Sequence, residues 1–184
     1  MRNCGAWACG TMFIRKIHIV EEGRVYRTGV LPLETFEKKV AELGILTFLR
    51  VICLHRGNRE YFDKIEQICG KRGIIAFHIS LKHNQVPDKK SLAMILDVFD
   101  HARYPQLIMC WRGADRSGLA SALYKMRIKR PRNEVMAQLS LFPYGHLWFL
   151  HPRYHFFLKK LYDQFGGDLE KYMRSDADFS LDKA

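Results

Sequence analysis

Three times in this chain an arginine stands six residues after a cysteine: Cys9 and Arg15, Cys53 and Arg59, Cys110 and Arg116. A thiolate is a nucleophile, and a guanidinium is a two-pronged grip on an oxyanion, so the pair suits chemistry at a phosphate. Spacing alone does not choose among the three. A loop that cradles a phosphate turns backbone N–H groups inward, which favours glycine where the chain approaches the ligand. It also feeds the first turn of a helix, whose unpaired N–H groups and dipole attract an anion. Only Cys110 has glycine three residues on (Gly113), a hydroxyl directly after the arginine (Ser117), a strand pattern before it and a helical pattern after it. Arg59 is followed by Glu60, whose carboxylate opposes a bound phosphate. Cys9 follows no strand pattern, and Lys16 comes after its arginine. The chemistry is therefore expected at residues 110–118.

In such a loop the helix N-terminus, the inward N–H groups and Arg116 all favour thiolate over thiol at Cys110. The thiolate can attack phosphorus and form a cysteinyl-phosphate. Arg116 can hold two non-bridging oxygens and stabilise the equatorial charge of the transition state. Ser117 is placed to hydrogen-bond the sulfur and ease its departure when water attacks. Trp111, Arg112, Gly113, Ala114, Ser117 and Gly118 make up the rest of the expected substrate-binding loop, with Trp111 and Arg112 at its rim. The plainer alternative for the same spacing is a buried structural cysteine beside a surface arginine.

The elements that must position this loop follow from apolar periodicity. Residues 24–27 (RVYR) read as a short strand after the turn-like Glu21-Glu22-Gly23. Phe36, Val40 and Leu43 fall at helical spacing, with Gly44 as the stop. Residues 45–54 (ILTFLRVICL) are β-branched and apolar, as a buried strand should be. Residues 61–72 read as a helix ending at Gly73, and residues 74–79 as another strand. A helix is expected over 88–101, capped by Asp88 or Ser91, then a strand at 106–109 (QLIM) and a helix from Ser117 to about Lys129. Two more helices are expected near 132–141 and 151–165, with a polar tail from Gly166. Alternating strands and helices imply an α/β architecture, a central mainly parallel sheet flanked by helices. In such folds ligands sit at the carboxyl ends of strands, which is where Cys110 falls.

The 184 residues suit one domain, and 48% hydrophobic residues suffice for a core. There are no internal repeats or low-complexity tracts, so the expected division is an N-terminal tail (1–19), one domain (20–165) and a C-terminal tail (166–184). No stretch is apolar and long enough to span a membrane. Residues 1–14 are mildly apolar but interrupted, so a cytoplasmic protein is expected, with export by an atypical N-terminal segment left open. Five cysteines, an odd number with no zinc spacing, point to free thiols in a reducing compartment. Thirty lysines and arginines against 19 acids give a net charge of +11, which favours anionic partners. The basic residues form no stripe and no base-reading motif appears, so nucleic acid is not expected. Lys82, His83, Lys89 and Lys90 are candidates for a basic pocket mouth. The cluster Tyr144, His146, Trp148, Phe149, His151, Tyr154, His155 and Phe156 reads as packing of the last helices rather than a stacking platform or metal site. Cys53 is a candidate for a protective disulfide with Cys110, the commoner reading being a core thiol.

Residues 110–118, C-W-R-G-A-D-R-S-G, match the signature loop of the protein tyrosine phosphatase superfamily: cysteine, five residues, arginine, then serine or threonine. The chain most resembles atypical dual-specificity phosphatases of the plant and fungal type and their bacterial relatives. Val25-Tyr26-Arg27-Thr28-Gly29 is similar to their early Y-R-S-G segment, and residues 43–54 to their G-I-K-T-V-I-N-L strand. Val86-Pro87-Asp88 stands at the family's separation from the cysteine, with Tyr104-Pro105 before the last strand. The likeness covers roughly residues 20–160. It implies the cysteine-dependent phosphatase fold, a phosphorylated anionic substrate, no metal and no other cofactor. The substrate classes it leaves open are phosphoinositides, inositol phosphates or pyrophosphates, other phospholipids and phosphoproteins, and a peripheral membrane contact is left open with them.

Two departures matter. Met109 stands where the family usually has histidine, and Ala114-Asp115 where the plant and fungal group commonly has Lys-His. An aspartate just before the arginine is similar to some phosphoinositide and myotubularin-like phosphatases. Most members supply the general acid as an aspartate about thirty residues before the cysteine, where this chain has Ser80, Leu81 and Lys82. The candidates are therefore Asp115, preferred here, with Asp88 and His83 as alternatives; for Asp88 a plain N-cap is the simpler role. The competing reading is a catalytically impaired phosphatase-like module that binds a phosphorylated ligand.

Overall fold

The computed structural model describes residues 16–83, 85–147 and 152–181. The stretch 1–14, weighed above as an export segment, lies outside these residues, as do Trp148, Phe149 and His151. The elements run β1 (His18–Glu21), β2 (Val25–Thr28), α1 (Leu33–Glu42), β3 (Thr47–Arg50), α2 (Arg59–Lys71), β4 (Ile75–His78), α3 (Lys89–His101), β5 (Gln106–Met109), α4 (Arg116–Arg127), α5 (Arg132–Ala137), α6 (Arg153–Phe165) and α7 (Leu169–Arg174), then a 3-10 turn (Phe179–Leu181). The expected α/β architecture is what folds. One five-stranded sheet has the order β1-β2-β5-β3-β4; β1 is antiparallel and the other pairings are parallel.

β5 lies in the middle, with Leu107 paired to Tyr26 on one side and Phe48 on the other. All four of its residues are buried, as parallel strands covered on both faces must be. Side chains alternate between two cores. Tyr26, Phe48, Leu107 and Met109 pack with Phe36 and Val40 of α1 and Phe62, Ile65 and Cys69 of α2. Val25, Leu49 and Ile108 face the helices that follow, among Leu92, Ile95, Leu119, Leu123, Tyr154 and Phe157. Burying each such leucine or phenylalanine contributes about 1.5–3 kcal/mol, so the sheet is held mainly by these two faces. In the core beside α1 and α2 the Cys69 thiol is pushed up to about 12, chiefly by burial.

The structure differs from the sequence reading in three places. The run 45–54 pairs only over Thr47–Arg50, because β4 and β5 end there; Val51 and Ile52 stay buried as loop residues. Across the 19/20 boundary expected between tail and domain, His18–Glu21 adds an edge strand, fixed by Glu21 accepting from Lys125 Nζ at 2.8 Å. The stretch from Gly166, read as a polar tail, folds back onto the domain. Leu169, Tyr172 and Phe179 are buried, Tyr172 and Phe179 stack at 4.8 Å, and Lys89 Nζ donates to the carbonyl of Ser175. Lys89 is thereby committed to that segment rather than to a pocket mouth.

Candidate functional site

β5 delivers Cys110 to the carboxyl edge of the sheet, and α4 begins six residues later. The loop between them is stitched to its neighbours by backbone. Val51 N–H donates to Met109 O at 2.9 Å, Cys110 N–H to Thr28 O at 3.3 Å, and Val30 N–H to Trp111 O at 3.1 Å. Met109, where histidine was the expectation, is fully buried in the core beside α1 and α2.

At Gly113 the loop turns through a left-handed φ of 74°. A Cβ there would lie 2.4 Å from the backbone nitrogen of Gly29 and 2.7 Å from the carbonyl carbon of Thr28. Both the dihedral and the close approach exclude a side chain. Gly113→Ala is therefore expected to cost about 1–3 kcal/mol in stability and to displace the loop; denaturant melts and phosphate binding measure the two effects. An alanine variant that melts and binds like the parent would contradict this account.

The turn aims the Gly113 N–H at the Cys110 sulfur, 3.2 Å away, while the Ser117 hydroxyl lies 3.3 Å from it on the first turn of α4. The sulfur is nearly inaccessible at the base of the loop, as the residue is 1% exposed. Arg116 opens the helix, and its Nε is buried without a hydrogen-bond partner among the described residues. A buried guanidinium N–H is rarely left without an acceptor.

Asp115 is 4% exposed and its two oxygens are divided between two imidazoles. Oδ1 lies 2.6 Å from His146 Nδ1, and Oδ2 lies 3.3 Å from His83 Nε2. His146 is fully buried, whereas the His83 side chain is 47% exposed. Asp88, another acid candidate, caps α3 by accepting from Ser91 N–H at 2.7 Å.

Beneath the loop lies Arg27, fully buried on β2. It donates through Nη1 to the Gln138 carbonyl at 2.8 Å, and its guanidinium lies over the Tyr144 ring at 3.6 Å. Its Nε and Nη2 have no hydrogen-bond partner among the described residues. Burial pulls its pKa down to about 10, opposed by Tyr144, Cys110 and Asp115. Arg27 ties the loop after α5 to the floor of the site.

The remaining loop residues divide. Trp111 is half-buried against the α1/α2 core, and Arg112 is exposed on a cavity of about 270 Å³ shared with Ala114, Leu141, Phe142 and Tyr144. Gly118 lets α4 approach α5: a Cβ there would lie 2.8 Å from the Gln138 carbonyl oxygen. Cys53 is a free thiol bonded to the Leu81 carbonyl at 3.3 Å. His146 and Arg27 are the residues that sequence reasoning missed as parts of the site. The sequence groups His146 with helix-packing aromatics, and no local signal marks its contact with Asp115.

Among the described residues no helix is long and apolar enough to cross a membrane. No protein-family model matches the chain, and no curated protein matches it significantly. Solved structures do. The core catalytic domain of the PP-IP phosphatase SIW14 from S. cerevisiae, in complex with citrate, superposes with a TM-score of 0.59 at 17% identity, over 82% of this chain and 93% of that one. Tk-PTP in its active form gives 0.60 at 18% identity, over 80% and 97%. TpbA from P. aeruginosa gives 0.53 at 14% identity, over 83% and 85%. The fold is thus the mostly parallel five-stranded sheet flanked by helices of these phosphatase structures.

Proposed function

We propose that this chain is a cysteine-dependent phosphatase that hydrolyses phosphate monoesters through a cysteinyl-phosphate. One observation carries the reading. The Cys110 sulfur receives the Gly113 N–H and faces the Ser117 hydroxyl at the start of α4, which opens on Arg116, whose Nε has no hydrogen-bond partner among the described residues. In the first step the sulfur attacks phosphorus, the S–P bond forms and the bond to the leaving oxygen breaks. Arg116 and the loop N–H groups hold the equatorial oxygens, where charge gathers in the transition state. In the second step water attacks phosphorus, the S–P bond breaks, and Ser117 supports the departing thiolate.

The proton for the leaving oxygen comes from the network centred on Asp115. Asp115→Asn is expected to lower turnover of alkyl phosphates, whose leaving groups need protonation, about 10²-fold or more. Aryl phosphates with stable leaving groups should be affected far less. Equal losses on both would remove Asp115 from proton transfer.

The net charge of +11 favours a substrate with several anionic groups. SIW14, a PP-IP phosphatase, shares the fold at 17% identity. Inositol phosphates and pyrophosphates therefore lead the panel, ahead of phosphoinositides, other phospholipids and phosphoproteins. A nucleophilic free thiol also suits a reducing, cytoplasmic setting. The test is phosphate release across that panel with a metal chelator present and vanadate as competitor. Vanadate-sensitive release supports the reading. Binding of phosphorylated ligands with no release from any substrate would favour the impaired binding module, as the Met109 replacement suggests.

A further inference from the structure

We infer that the leaving-group proton is delivered by His83, with Asp115 as the residue that orients its ring and His146 as the anchor of Asp115. The inference rests on the phosphatase reading above and assigns a proton donor within it.

A carboxylate as buried as Asp115 must have hydrogen-bond donors, and two imidazoles supply them. An ionised carboxylate can only accept, so His146 donates through Nδ1 to Oδ1, at 2.6 Å. Oδ2 accepts from His83 Nε2 at 3.3 Å. With both oxygens accepting, a proton carried by Asp115 would weaken the hydrogen bond at the oxygen that bears it. Transfer from His83 leaves both hydrogen bonds in place. In its imidazolium form His83 donates through both nitrogens, Nε2 to Asp115 and Nδ1 to a leaving oxygen.

Exposure separates the members of this chain of groups. His146 and Asp115 are 0% and 5% exposed at the side chain, whereas His83 is 47% exposed and is the member that a substrate can reach. His83 sits on the loop after β4, at the same carboxyl edge of the sheet as Cys110 after β5. That loop is tethered next to it. Tyr154 Oη donates to the Lys82 carbonyl at 2.8 Å, and Cys53 Sγ to the Leu81 carbonyl at 3.3 Å. Residues 80–82 carry no carboxylate, so the proton-bearing group this loop offers beside Asp115 is an imidazole.

The step balances. As the S–P bond forms and the P–O bond breaks, the proton on His83 Nδ1 moves to the leaving oxygen, which departs as a neutral alcohol. The now neutral imidazole takes a proton from the attacking water in the second step. The S–P bond breaks, inorganic phosphate leaves, and the imidazolium is restored.

The experiment measures kcat on a series of aryl and alkyl phosphates for the parent chain, His83→Gln and Asp115→Asn, with chelator present. His83 is half-exposed, so glutamine there does not threaten the core. His83→Gln is expected to lower kcat on alkyl phosphates about 10²–10⁴-fold, the usual yield of a positioned acid, and on nitrophenyl phosphate only several-fold. The dependence of rate on leaving-group basicity should steepen equally in Asp115→Asn. If His83→Gln loses the same factor on every ester, or nothing, while Asp115→Asn alone is selective, Asp115 is the direct donor and the inference is overturned. A parent chain that releases no phosphate even from nitrophenyl phosphate would instead remove the phosphatase reading beneath it, a distinct result.

Discussion

Replacing Cys110 by serine is expected to lower phosphate release at least about 10³-fold on every substrate while leaving phosphate bound. The two halves of this result have separate causes. Around the sulfur the protein offers donors, the Gly113 N–H and the Ser117 hydroxyl, and among the described residues no base bonds to it. A thiol reacts as its thiolate with donors alone to help it, whereas a serine hydroxyl needs a neighbour to take its proton. The proposed anion cradle does not depend on the sulfur. In that reading it consists of backbone N–H groups, the α4 terminus and Arg116, all untouched by the substitution. Phosphate release and the thermal shift produced by inorganic phosphate read the two effects separately. A serine variant that still turns over would place the nucleophile elsewhere. One that loses phosphate binding as well would mean that the cysteine had a packing role that the geometry does not suggest.

Arg116→Lys is expected to lower kcat about 10²–10³-fold, the range seen when one preorganised transition-state donor is removed. Charge is conserved, so the loss isolates shape. A guanidinium offers a planar fork that meets two phosphate oxygens at once, whereas an ammonium is a point charge on a flexible stem. Arg116 Nε has no hydrogen-bond partner among the described residues, as the proposed phosphate grip requires. The effect should appear mainly in kcat, because the fork matches the planar equatorial oxygens of the transition state better than the tetrahedral ester. Steady-state kinetics on an aryl phosphate tests this directly. A loss confined to KM would reassign Arg116 to ground-state binding.

How much of this could be read from the sequence depended on whether the signal was local. The loop at residues 110–118 was legible because its requirements lie side by side: an apolar strand, a glycine at the third position, a hydroxyl after the arginine and a helix beyond. β5 and α1 were legible through simple periodicity. The Asp115–His146 contact was not, since it joins residues whose proximity is set by how α5 and the following loop pack on α4. Arg27 illustrates the same limit. It lies in a strand of four residues and is wholly buried, which nothing local to it in the sequence signals. The segment after Gly166 misled for another reason. Its apolar residues, Leu169, Tyr172 and Phe179, are sparse among charges, and only the aromatic surface of α6 explains why they fold inward.

The position of β5 between β2 and β3 also bears on how the chain reaches this state. Both partner strands precede it in sequence, and neither pairs with the other. As the chain emerges from the ribosome, β2 and β3 therefore present open hydrogen-bonding edges until residues 106–109 arrive to fill the gap between them. Sheet closure has to wait for contacts of long sequence separation, which slows folding relative to a chain of local hairpins. The strand that completes the sheet is the one that leads into Cys110, the proposed nucleophile. A nascent chain therefore cannot close its sheet before Cys110 is about to be added.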